Sequence, residues 1–238
     1  YAAWQWKANG GTTASNTEGD LRYVTVQANQ DAGFSIVQFL GGQGTTAGHG
    51  LGVAPDFIIS KRINATVGWY IYHKDVGAGK YLTFGTGTPT TSSSAAYTSA
   101  PTSTIFTGGQ YVGGATDYYI NYCFASKQGY SKFGKYVGNG NVNGPFVYTG
   151  FKPAWIMFKD TTTASSWRIV DSKRNPTNLV DKQLTANANS AEGTFPYVAV
   201  DFLSNGFKSR TTQAESNQSG SSYIYMAFAE NPFTTSTG

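Results

Sequence analysis

"LGVAPDFIISK", residues 51–61, and "TGFKPAWIMFK", residues 149–159, decide how this chain is read. Each sets a proline (Pro55, Pro153) two residues ahead of an aromatic ring and a short apolar run that ends in lysine. Proline fixes its own φ and holds the residue before it extended, so each stretch predicts a strand entered through a rigid bend. The pair is not isolated. "GFSIVQFLGGQG" (33–44) matches "GYSKFGKYVGNG" (129–140), and "GWYIYHKD" (68–75) matches "SWRIVDSK" (166–173). "STIF" (103–106) answers "SNGF" (204–207), and "YINYCFAS" (119–126) answers "YIYMAFAE" (223–230). Five blocks recurring in one order predict a tandem duplication.

Each copy holds strand-like blocks separated by Gly, Pro, Ser and Asn turns, the pattern of an antiparallel sandwich. The expected fold is therefore all-β: two tandem antiparallel β-sandwich units of jelly-roll-like form, at residues 33–128 and 129–238. Residues 1–32 are expected to be an N-terminal arm or linking segment. In the third block Trp69 and Ile71 point one way, as do Trp167 and Ile169, leaving Tyr70, Tyr72, Arg168 and Val170 on the other face. The Trp/Ile face, kept in both copies, is expected to be the core. The stretch "GTGTPTTSSSAAYTSAPTST" (85–104) reads as a long surface loop or ragged edge strand.

Composition narrows the classes further. Charged residues make up 13% of the chain, against about 25% in ordinary soluble domains. The polarity comes instead from Thr, Ser, Asn, Gln and 29 glycines, which suit tight turns. No long window carries the spacing of an amphipathic helix. The net charge of +4 is scattered, and the densest basic group, "DSKRNP" (171–176), includes an acid. Nucleic-acid binding needs a clustered basic face, so no nucleic-acid partner is expected. No stretch nears the ~20 apolar residues of a membrane span, so no membrane insertion is expected either. The chain shows neither an initiator Met nor a signal peptide, and reads as a processed product or the tail end of a longer polypeptide. The single cysteine, Cys123, excludes an internal disulfide and a cysteine zinc site, and its apolar surroundings predict burial.

"GHGLG" (48–52) raises the question of chemistry, because a glycine-framed histidine suits an active-site loop as well as a turn. The matching stretch of the second copy, "GPFVYTG" (144–150), keeps glycines and has no histidine, so His49 is expected to be a turn residue with a local hydrogen bond. His73 is set against Ser172. No HExxH, GxSxG or phosphate-loop pattern occurs. A glycosidase needs two carboxylates about 5–10 Å apart; pairs such as Asp75 with Asp117 exist, but no acid matches across the copies. Asp56 and Asp201 read as turn or edge residues. "NGNVNG" (139–144) offers amides and carbonyls without carboxylates, which suits a turn better than calcium. No catalytic residue, metal or cofactor is expected. Exposed rings among short polar side chains can stack on sugars, and the residues picked for such a surface are Tyr70, Tyr72 and Tyr97 in the first copy, and Arg168 with Tyr197 in the second.

Taken together, "AWQWKANGG", "GFSIV", "GHGLGVAPDFII", "GYSKFG", "GNVNGPFVYTGF", "FLSNGFK" and "YIYMAFAENPF" resemble a domain family of virion structural proteins in tailed bacteriophages, notably marine phages and those of cyanobacteria. The resemblance runs from about Tyr1 to Phe233; "TFPYVAVDFLSNGF" departs from it in its first half. It implies a tail or fibre-like component on the surface of the virion, with no catalytic residue to carry over. The implied partners are copies of itself in a homo-oligomer such as a trimer, other virion proteins, and host surface polysaccharide. A capsid decoration protein and a carbohydrate-binding adhesin are the alternatives.

Overall fold

The computed structural model describes the chain except residues 1, 10, 12, 43–44, 86–89, 92–95, 115, 195–196 and 233–238. Two compact units form, one mainly from residues 4–126 and one mainly from residues 127–232.

In the N-terminal unit the strands are β1 (Ala14–Ser15), β2 (Thr25–Asn29), β3 (Phe34–Leu40), β4 (Thr46–Gly48), β5 (Phe57–Arg62), β6 (Trp69–His73), β7 (Lys80–Thr83), β8 (Thr90–Thr91), β9 (Tyr97–Ser99), β10 (Ile105–Gly108) and β11 (Tyr118–Phe124). They make a large sheet in the order β1-β2-β3-β11-β5-β6-β7-β8 and a small one in the order β4-β10-β9. The core lies between them: Val37, Phe39, Ile58, Tyr72, Tyr119 and Cys123 from the large sheet meet Ala47, Tyr97 and Phe106 from the small one.

The C-terminal unit has β12 (Ser131–Val137), β13 (Phe146–Tyr148), β14 (Pro153–Asp160), β15 (Arg168–Asp171), β16 (Lys182–Thr185), β17 (Gly193–Thr194), β18 (Val200–Leu203), β19 (Gly206–Ser209) and β20 (Ser222–Ala229), with one short helix, α1 (Ala214–Asn217). Its sheets run β12-β20-β14-β15-β16-β17 and β13-β19-β18. Ile156, Phe158, Val170, Tyr223 and Tyr225 face Val147, Val200, Phe202 and Phe207 across the core. The fold is thus all-β and built of antiparallel sandwiches.

Without β1 and β2, the two strand orders are the same. The registers agree as well. Phe57 pairs with Phe124 on one side and His73 on the other; Trp155 pairs with Phe228 and Asp171. The latter pairing corrects the expected counterpart of His73, which is Asp171 and not Ser172. β11 and β20, the last strand of each unit, are inserted between two earlier strands and hydrogen-bonded on both flanks. Strands that are covered on both faces read as continuous apolar runs, and β14 (PAWIMFKD) and β20 (SYIYMAFA) are almost wholly buried.

Two further expectations are corrected. Within the segment expected to be a linking arm, residues 14–15 and 25–29 are strands instead: β2 pairs along β3 and β1 along β2, extending the first large sheet by two strands. The face assignment of the third block also fails. Tyr72 and Val170, not the Trp/Ile side, point between the sheets. Ile71 and Trp167 are buried on the opposite face while Trp69 is 38% exposed, so that side differs between the units. Of the Ser/Thr/Pro-rich stretch, β8 and β9 are strands, and residues 86–89 and 92–95 lie outside the described residues.

Candidate functional site

His49 shows how the local sequence builds the turn after β4. Its backbone N–H donates to the Thr104 carbonyl at 3.1 Å. Its side chain is fully buried: Nδ1 accepts the Leu51 N–H at 3.2 Å, which leaves the proton on Nε2, 3.2 Å from the Thr102 carbonyl. The next residue, Gly50, has φ +70°, a backbone region that glycine reaches without strain. In the C-terminal unit Thr149 N–H donates to Asn205 O, Thr149 Oγ1 donates to the Phe151 carbonyl at 2.6 Å and lies 3.5 Å from the Phe151 N–H, and Gly150 has φ +87°. The same turn is therefore capped by imidazole in one unit and by a hydroxyl in the other. Burial lowers the pKa of His49 against smaller opposing effects from the Thr102 carbonyl and Glu18.

His73 is equally buried and does similar work. Its Nδ1 accepts the Asp75 N–H at 3.1 Å, and Asp171 Oδ1 accepts the Lys173 and Arg174 N–H groups at 3.0 and 2.9 Å. Cys123 is fully buried, and that burial pushes its thiol up to about 12. Asn139, Asn141 and Asn143 of "NGNVNG" close on one another and on buried Asn217 through side-chain to backbone bonds, as in a chain of Asx turns. Among the described residues no three His, Cys, Asp or Glu side chains converge.

The tyrosines picked from the sequence separate into two groups. Tyr97 and Tyr72 are 1% and 4% exposed and meet at a 60° tilt inside the core, ring centres 5.5 Å apart, so neither can meet a ligand. The Tyr97 hydroxyl is held 2.7 Å from Ser60 Oγ and 3.2 Å from the Tyr70 carbonyl, and burial raises its pKa far above the ordinary phenol value. Their place on the β6 and β9 faces turned toward the other sheet is what the period-two reading missed.

Tyr70 is different. It sits at the rim, where the core opens, and joins two rings that the sequence did not single out. Tyr111, on the turn after β10, stacks on it at 5.0 Å and 20°, and Tyr81, on β7, meets it edge-on at 5.5 Å. Tyr81 and Tyr111 are themselves perpendicular at 6.0 Å, closing a triangle of rings with Tyr111 40% exposed. Partial burial, with Tyr81 and Tyr111 adjacent, raises the Tyr70 phenol pKa. The only hint of Tyr111 in the sequence is its place in "GGQYVGG", a glycine-flanked ring on a turn.

At the equivalent rim of the C-terminal unit, Arg168 takes the place of Tyr70. Its guanidinium lies 4.7 Å from the Tyr197 ring centre, 3.1 Å from Glu215 and 2.8 Å from Thr185 Oγ1. Arg168 and Tyr197, both picked from the sequence for a ligand surface, are brought together, but the cation is already paired with a carboxylate.

What emerges is a double β-sandwich with a neutral aromatic platform at one rim and an ion-paired one at the other. The chain belongs to the family described as "Domain of unknown function (DUF7483)", which matches residues 1–232. No curated protein matches it significantly. Nor does any solved structure.

Proposed function

We propose that this chain is a non-enzymatic structural module on the surface of a tailed-phage particle, a tail or fibre component that attaches to host surface polysaccharide. The observation that carries the attachment reading is the Tyr70–Tyr81–Tyr111 triangle, which offers an open ring to a sugar face. Carbohydrates stack their C–H faces on such rings, and the phenol hydroxyls are ready hydrogen-bond donors and acceptors. The absence of a paired charge in the triangle suits a neutral hexose better than an ionic ligand. The phage assignment rests on the sequence resemblance, and the turn-capping roles of His49 and His73 are consistent with a structural module.

The test is binding of the purified chain to an array of bacterial surface polysaccharides. Saturable binding is expected, with affinity lost about tenfold or more in Tyr111→Ala, in line with the weight of aromatic anchors at binding sites. Thermal unfolding of that variant should still be cooperative and only modestly lowered, since the ring is partly exposed and gives up only its contacts with Tyr70 and Tyr81. Failure to bind any glycan, or binding indifferent to Tyr111, overturns the attachment role.

A further inference from the structure

The same sheet edge is closed in one unit and open in the other. In the N-terminal unit, Thr45 and Thr46 N–H donate to Asp20 Oδ1 at 2.8 and 2.6 Å. Asp20 and Leu21 N–H donate back to the Thr46 carbonyl at 3.2 and 3.0 Å, and Gly19 bridges Ala47. The Asn16 side chain lies so close to Gly48 that a Cβ there would have no room. The segment that leads into β2 thus covers β4.

β13, the equivalent strand of the C-terminal unit, has β19 on one side and, among the described residues, no strand on the other. Phe146 and Tyr148 are 46% and 64% exposed, while Val147 between them is buried. Val137 and Val142, on the approach to β13, are exposed too. The bonds Ser209 N–H to Pro145 O and Thr149 N–H to Asn205 O flank the Val147–Phe207 pair. Antiparallel alternation then turns the N–H and C=O groups of Phe146 and Tyr148 away from β19, toward the open side. The neighbouring edge, β12, carries Lys132 and Lys135, the kind of charge that keeps an edge strand from pairing. β13 carries none.

We propose that β13 pairs with β13 of a second copy of this chain, antiparallel about a two-fold axis at Val147. Phe146 of each copy then lies opposite Tyr148 of the other, and the outward backbone groups of both residues bond reciprocally. The strand is complementary to itself in this register: it has no like charges to oppose, and both cross-strand pairs are aromatic, a favourable combination. Pro145 has no N–H to offer and Gly150 turns the chain, so the ladder is confined to three residues and closes as a dimer. This inference stands apart from the glycan reading, because it uses the other unit and needs no ligand.

The test is sedimentation of the full chain over a concentration series. The unaltered chain is expected to dimerise, and Phe146→Lys with Tyr148→Lys, which sets lysine against lysine, to weaken the dimer about tenfold or more. Phe146→Glu with Tyr148→Lys should restore it, because glutamate of one copy then faces lysine of the other. Both residues are exposed, and circular dichroism melting should show that each variant folds. A chain that stays monomeric throughout overturns the proposal. So does a lysine pair that leaves association unchanged, or a glutamate–lysine pair no tighter than the lysine pair.

Discussion

At two equivalent turns the N-terminal unit buries histidines, His49 and His73, where the C-terminal unit buries Thr149 and Asp171. Each turn needs an acceptor on a short side chain, aimed at the N–H two residues on, and imidazole nitrogen, hydroxyl and carboxylate all supply one. What differs is the surroundings that each acceptor demands. Asp171 carries a charge into a buried site and has the Arg174 guanidinium beside it; three residues after His73 the chain has Val76 instead. A histidine framed by glycines, the most enzyme-like feature of this sequence, is here one of several interchangeable ways to finish a turn.

That comparison can be broken most severely with His73→Asp. The new carboxylate would be buried without the cation that Asp171 enjoys, and the cost expected is about 3 kcal/mol or more. Chemical denaturation measures it; a loss below about 1 kcal/mol would mean that the two turns tolerate charge alike. His49→Ala should cost about 1–3 kcal/mol, since it strands the Leu51 N–H and the Thr102 carbonyl. His49→Thr, borrowing the solution of the other unit, should recover part of that loss in the same assay. If threonine does no better than alanine, the two caps are not equivalent.

The smallest effect is the dependence on pH. Burial holds the folded-state pKa of His49 below the 6.5 of the free side chain. Between those two values the unfolded chain binds more protons than the folded one, so stability falls as pH drops below about 6.5 and is fully present above it. Denaturation midpoints at pH 8 and pH 5 should differ less in His49→Thr than in the unaltered chain. An unchanged slope would place the titration elsewhere.

Much of this architecture was legible in particular residues. Pro55 and Pro153 marked equivalent strand entries, and the block order matched the shared strand order. The layer to which a face belongs was not legible. β6 and β15 have apolar or aromatic residues on both sides, and alternation alone cannot tell the inter-sheet core from the opposite face. The partnership of β2 with β3 was hidden for a similar reason: pairing is decided by a long-range register, and "RYVTVQA" reads only as a strand of unspecified partner. Of the chosen binding residues, Tyr70, Arg168 and Tyr197 reach a rim. Tyr72 and Tyr97 do not, because a ring that suits a sugar suits a core equally well. Tyr81 and Tyr111 were missed because the triangle joins β6, β7 and a distant turn.

The position of β20 between two neighbouring strands has a mechanical side. A pull on its trailing end is resisted by two ladders at once, those to β12 and β14, whereas β1 is a two-residue strand paired, among the described residues, with β2 alone. Stretched between its ends, the chain should yield first at the N-terminal edge, peeling β1 while the C-terminal sheet keeps its grip. Load applied through the β20 side would therefore be relieved at the far edge before the β20 ladders give way.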